Sequence, residues 1–358
     1  MDQNRRNILR AGASAAVGSM LLYAQAQPGA IQPAPPLLSL PPLAGKVAMR
    51  LVTCMLPGGA TPVLAAVLDD GRLVDLQAAA RRQKLKPDVD LSSMLALIRS
   101  GDAGFAQARA IAEHAARQAN LPPLASARLL SPIPRPDRNI YCVGWNYLDH
   151  FEEGKKARHD TVVEKLPDHP VFFTKGTHTM NGPFGAIPMD TTNAPSMKDW
   201  EAELAVVIGR RGRNIGEAQA MDHVFGYAAY NYTTEREIQQ KRHGGQWFKG
   251  KSLDGHGPMG PWIVTAAGVK LDEVRVICRV NGVEKQNASY QQMYFKIPRI
   301  IAELSRGMTL EPGDIIATGT PSGVGFARKP QEFLKAGDVM ETEIAGVGVI
   351  RNTIQTES

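Results

Sequence analysis

The chain has 358 residues, 43% hydrophobic content and a formal net charge of +6, enough apolar material for one large domain or two ordinary ones. Arg5, Arg6 and Arg10 against Asp2 give the first 26 residues a balance of +2, leaving +4 for the rest without a dense Lys/Arg stripe. That argues against nucleic-acid binding and leaves anionic small molecules as partners. The three cysteines, Cys54, Cys142 and Cys278, form no Cys-x-x-Cys pair, which excludes a zinc ribbon or dithiol motif. Their apolar surroundings read as inert core.

Residues 1–26 read as a targeting segment. Asn4-Arg5-Arg6-Asn7-Ile8-Leu9-Arg10 precedes the weakly apolar stretch 11–22, and Ala24-Gln25-Ala26 supplies a small-x-small cleavage site. The pattern resembles a bacterial twin-arginine export signal, with Ile8 for the usual Phe and Asn4 for the usual Ser or Thr. It implies a periplasmic protein that crosses the membrane folded; the competing reading is a basic tail. The apolar stretch is too short and Ala/Gly-rich to span a bilayer, so no membrane association is expected after export. Residues 27–45 are Pro-rich and read as an extended linker.

From residue 46 the chain reads as a small accessory unit ending near 135. Strands are expected over 46–56 and 62–76, the second segment turning at Asp70-Gly71. Helices are expected over 91–120, interrupted at Ser100-Gly101-Asp102, followed by a Pro-rich closing segment, 121–136. Beyond Asn139 short apolar strands alternate with Gly/Pro turns. One clear helix is expected over 297–306 with Gly307 as its stop, and two final strands turn at Gly346.

Four segments carry chemistry. A strand from Asn139 runs into a loop at Gly144-Trp145-Asn146, and a helix starts at Leu148. His150 and Glu153 lie three apart on it, so the carboxylate orients the imidazole as a general base requires; a surface pair is the plainer reading. In Asp199-Trp200-Glu201-Ala202-Glu203 the apolar run to Gly209 reads as a buried strand, which puts Glu201 and Glu203 on one face. Two such acids need a cation or donors in compensation, and a hard divalent ion is the simplest. The alternative is a solvated strand end. Around Gly250-Lys251-Ser252 two lysines sit among glycines and aromatics, suited to a developing oxyanion or to a surface loop. Thr318-Gly319-Thr320-Pro321-Ser322-Gly323 is a tight turn whose N–H groups suit a carboxylate. It lacks the Gly-Lys-Ser/Thr of a P-loop and the Gly-x-Ser-x-Gly frame of a serine hydrolase.

Taken in order, Val143-Gly144-Trp145-Asn146-Tyr147-x-x-His150, Glu201-x-Glu203, Gly226-Tyr227, Gly250-Lys251-Ser252-x-Asp254, Gly257-Pro258-x-Gly260-Pro261 and Thr318-Gly319-Thr320-Pro321 resemble the fumarylacetoacetate hydrolase family over about residues 136–355. The family includes acylpyruvate hydrolases, oxaloacetate decarboxylases and hydroxymuconate isomerases or hydratases. The resemblance implies an α+β, predominantly β fold: a mixed β-sandwich roll over 136–358 with a small N-terminal α/β accessory domain, usually a homodimer. It implies Mg²⁺ or Mn²⁺ on Glu201 and Glu203. His150 and Glu153 match its water-activating pair, on a segment that orders over the substrate. Lys251 matches the lysine near the metal-bound oxygens, and Arg236, Gln239 and Thr320 its substrate contacts. One position departs. The third metal carboxylate, an Asp, is Tyr232 here, and a phenol is a poor Mg²⁺ ligand at neutral pH; Glu235 or Glu237 would have to shift to replace it. The resemblance implies a metal-dependent C–C hydrolase of acylpyruvate-like oxo acids, with decarboxylase or isomerase chemistry as the near alternatives. Tyr232 and the export signal leave a non-catalytic organic-acid-binding protein as a further one. Specificity is expected from Trp145, Met180 and the segment 291–294.

Overall fold

The computed structural model describes residues 40–85, 89–158, 165–189 and 196–357. Residues 1–26, read above as a targeting segment, and most of the expected linker lie outside the described residues. Strands β1 (Arg50–Met55), β2 (Val63–Val67) and β3 (Leu73–Asp75) form an antiparallel meander. Gly71, at φ +80°, makes the expected Asp-Gly turn. A helix not foreseen, α1 (Leu76–Arg82), starts at once because the Asp75 carboxylate accepts the Ala78 N–H as an N-cap. Helices α2 (Met94–Arg99) and α3 (Gly101–Ala115) follow, broken at Ser100 as the sequence indicates.

The rest of the chain supplies β4 (Arg128–Leu129), β5 (Ile140–Gly144), α4 (Leu148–Arg158), β6 (Val171–Lys175), β7 (Met180–Asn181), β8 (Ile187–Met189), β9 (Lys198–Ile208), β10 (Gly212–Arg213) and β11 (Val224–Glu235). There follow α5 (Arg236–Lys241), α6 (Phe248–Lys251), β12 (Gly257–Thr265), β13 (Arg275–Val280), β14 (Val283–Ser289), α7 (Ile297–Ser305), β15 (Thr309–Leu310), β16 (Ile315–Ala317), β17 (Val339–Ile344) and β18 (Gly348–Thr356). The main sheet runs β3-β2-β1-β12-β11-β9-β16-β5-β6, and a second runs β14-β13-β17-β18-β8. The architecture is the expected α+β one, with strands dominant. The N-terminal meander continues the main sheet, since β1 pairs with β12 at Arg50–Val264 and Leu51–Ile263.

β9 is central, flanked by β11 and β16, and every one of its residues is buried. That explains its unbroken Leu-Ala-Val-Val-Ile run. Its side chains alternate between two cores. Trp200, Ala202, Leu204 and Val206 join the core shared with the second sheet. Ala205 and Val207 join Tyr230, Tyr232 and the helices of the N-terminal segment on the other. Glu201 and Glu203 lie on this second face, at its polar end. All three cysteines are buried and free, as expected.

Candidate active site

Glu201 and Glu203 are 5% and 2% exposed, which rules out a solvated strand end. They border a cavity of about 330 Å³ that His150, Lys251, Arg236, Gln239 and Thr320 also line. Seven of the eight side chains singled out above therefore meet at one cavity. The eighth, Glu153, holds His150 from behind: His150 Nδ1 lies 2.9 Å from Glu153 Oε1. Glu153 in turn accepts the Gly323 N–H at 3.0 and 2.9 Å. The Thr318–Gly323 turn does cradle carboxylates, and they are the protein's own, because Gly319 N–H donates to Glu203 Oε2 at 2.8 Å. Gly319 has φ +103°, and a Cβ there would meet Asn146 Cβ at 2.7 Å, so glycine is needed for this approach.

Glu201 is the electrostatic centre. Lys251 Nζ donates to both its oxygens, at 2.9 and 2.8 Å, and to Thr234 Oγ1 at 3.0 Å. Arg236 Nη2 lies 2.7 Å from Glu201 Oε1 and from Asp199 Oδ2, off the hydrogen-bonding direction, while its Nε donates to Asp199 at 2.8 Å. Burial pushes the Glu201 carboxyl up, but Arg236 and Lys251 outweigh it and hold it at about 2. Glu203 is raised well above the carboxylate range by burial and by the neighbouring Glu201 charge. Burial also lowers Lys251.

Tyr232 sits directly across from Glu201 in the β9–β11 ladder. Its ring lies 4.6 Å from Lys175 Nζ and 4.8 Å from Lys251 Nζ, and it packs edge-on to Tyr230 at 5.2 Å. Its hydroxyl is buried with the Cys142 thiol beside it, and burial raises its pKa well above the ordinary value. Neither acid considered as a replacement reaches the centre. Glu235 accepts from Ser196 Oγ and the Met197 N–H, both at 2.7 Å, and Glu237 pairs with Arg242. Strand alternation turns Glu235 to the opposite side from Thr234, and Glu237 has already entered α5.

Sequence reasoning missed three contributors. Asp199 continues the period-two acids of β9 and anchors Arg236, a signal visible in Asp199-x-Glu201-x-Glu203. Lys175 ends the apolar run Val171–Thr174, fully buried, and its Nζ donates to the His256 carbonyl at 2.6 Å. Burial, with the Lys251 charge, lowers it to about 7. Trp247 builds the cavity wall with Trp145 and Phe173, at ring distances of 5.2 and 5.1 Å. Of the expected specificity positions, Trp145 lines the cavity; Met180 and the segment 291–294 do not, because β7 and the turn after β14 pack elsewhere.

Comparisons with known proteins identify the family. Residues 139–355 match the family model described as fumarylacetoacetate (FAA) hydrolase C-terminal. The chain belongs to the fumarylacetoacetate hydrolase family. Among curated relatives it is 42% identical over 295 residues to the oxaloacetate tautomerase YisK of Bacillus subtilis, spanning 80% of this chain and 94% of that protein. A solved fumarylacetoacetate hydrolase from Exiguobacterium antarcticum superposes with a TM-score of 0.69 at 34% identity, covering 86% of this chain and all of that one. The maleylpyruvate hydrolase of Sphingobium sp. SYK-6, solved with manganese(II) and pyruvate, gives 0.67 at 27% identity, over 87% of this chain and all of that one. Mg²⁺ or Mn²⁺ is thus in keeping with the family. Of the three donor positions here, Glu201 and Glu203 fit such an ion and Tyr232 does not. Among the described residues no three His, Cys, Asp or Glu side chains are grouped to hold a metal.

Proposed function

We propose that this chain is an enzyme that interconverts the keto and enol forms of a small oxo dicarboxylic acid, with oxaloacetate as the reference substrate. One observation carries the reading: a carboxylate-held imidazole and two buried cations, Lys251 and Arg236, meet at one cavity. Tautomerisation needs a base beside the carbon next to the carbonyl and a positive group beside the oxygen. His150 takes a proton from that carbon, and the C–H electrons become the new C=C bond. The carbonyl π pair moves onto oxygen, where Lys251 donates a hydrogen bond and then its proton to complete the enol; His150 releases the proton it took to solvent, from which Lys251 is reprotonated. Arg236, Gln239 and Thr320 hold the carboxylates. The identity to an oxaloacetate tautomerase over nearly that protein's full length supports this over hydrolysis.

Hydrolytic C–C cleavage is the second reading. The same His150–Glu153 pair favours it, since an imidazole so held deprotonates water as readily as carbon. The test follows the ultraviolet absorbance of enol oxaloacetate with and without protein and added Mn²⁺, beside acylpyruvate cleavage. Accelerated enol decay, lowered about 10²–10⁴-fold by His150→Ala, supports the tautomerase. Acylpyruvate cleavage without tautomerase activity transfers the site to the second reading, and neither activity sinks both.

A further inference from the structure

The position opposite Glu201 is a ring held between two lysines instead of a third acid. Lys251 occupies both Glu201 oxygens, Arg236 touches one of them, and Lys175 and Lys251 both stand within 5 Å of the Tyr232 ring. A divalent ion bound by Glu201 must compete with Lys251 for those oxygens. It would also find at Tyr232 a phenol with no acidic neighbour to replace it, Glu235 and Glu237 being engaged elsewhere. An Asp at this position would add a buried negative charge across from Glu201, and an ion would then be needed to offset it. Tyr232 removes that need and supplies an apolar face and a π cloud that favours ammonium. The ring also continues an aromatic wall, Trp145–Trp247–Phe173–Tyr232, with successive centroid distances of 5.2, 5.1 and 6.1 Å.

We propose that the centre carries its own cation: Lys251, set by Glu201 and backed by the Tyr232 ring, supplies the positive charge at the substrate's enolate oxygen, so that the oxo acid is bound and turned over without a divalent ion. This rests on the function proposed above for the identity of the oxygen. The electron flow is the one already written, with the ammonium hydrogen bond in the ion's place, and no redox step enters.

The test is made on the full chain purified without chelator, and its main readouts do not require turnover. Elemental analysis measures Mg and Mn per chain, electron paramagnetic resonance titrates Mn²⁺, and calorimetry measures binding of oxalate, a planar dianion shaped like an enolate, with EDTA or with Mn²⁺. The expected result is well under one ion per chain and oxalate affinity within about threefold in the two conditions. Tyr232→Asp is expected to bind Mn²⁺ at least tenfold more tightly and to need it for oxalate. Tyr232→Phe, which keeps the ring and removes the phenol oxygen, is expected to take up as little Mn²⁺ as the parent, and keeps the test open if Tyr232→Asp does not fold. Near-stoichiometric metal in the parent protein, or oxalate binding that disappears with EDTA, overturns the proposal. Metal-free oxalate binding with no tautomerase activity in either condition leaves the metal-free binding centre standing and removes the functional reading, with the turnover assigned to it, instead.

Discussion

A single ionic core sets the character of this site. Glu201 is held by two cations, and a buried pair that loses one partner costs about 3–5 kcal/mol, so Lys251 and Arg236 serve the fold as well as the chemistry. Lys175 is different: it meets a carbonyl and an aromatic face but no carboxylate. Its folded-state pKa, about 7, lies below the ordinary 10.5. Below about pH 7 both folded and unfolded chains carry the proton, and the burial penalty is fully present. Between about 7 and 10.5 the unfolded chain keeps a proton the folded chain has released, so this group makes stability rise with pH. Lys175→Met abolishes that contribution. In denaturant titrations at several pH values, its stability advantage over the parent is expected to shrink as pH rises from 7 to 9, by no more than about 1.4 kcal/mol per unit. A pH-independent difference would contradict the buried-lysine account.

Elements enter the site through close contacts. α6 delivers Lys251 only because Gly250 lets it touch α5: a Cβ at Gly250 would lie 2.6 Å from Gln239 N and 2.7 Å from Gln239 Cα, both backbone. The backbone must therefore give way in Gly250→Ala. The expected outcome is a fall in tautomerase kcat of at least tenfold with the melting temperature lowered by a few degrees, since the displaced ammonium leaves Glu201 with Arg236 alone. Steady-state kinetics beside thermal unfolding separate the two effects. Unchanged kinetics would mean Lys251 is positioned from elsewhere. The existence of α6 was not readable in advance. Its four residues, Phe248–Lys251, show no helical periodicity, and its Gly250 reads as a loop residue until the α5 backbone is seen beside it.

At the scale of the whole molecule, the main sheet joins what the sequence presents as two units. β1 closes the edge of β12, and Leu97, Ile98, Ala108 and Ile111 of α2 and α3 share one buried core with Ala205, Tyr230 and Met259 of the sheet. A chain starting at residue 136 would expose that core and the β12 edge. It is expected to be insoluble or to bind a hydrophobic dye strongly, measured against the full chain by size-exclusion chromatography and dye fluorescence. A soluble, active fragment would show that the catalytic sheet folds without its cover.

The sequence by itself determined the strand identity of β9, the shared face of Glu201 and Glu203, the His150–Glu153 pair and the turns at Asp70-Gly71, Gly307 and Gly346. These follow from local rules: a side-chain period of two, helical spacing, and the backbone freedom of glycine. The family resemblance supplied the set of residues that meet, and the structure brings them to one cavity. Only the tertiary structure decided what surrounds them: that Lys175 comes from β6 to stand over Tyr232, that Asp199 anchors Arg236, and that the turn at Gly319 and Gly323 cradles the protein's own acids. Those contacts join segments tens to more than a hundred residues apart. No local pattern encodes such pairings, because they arise from the order in which the strands stack and from which charges that stacking leaves buried together.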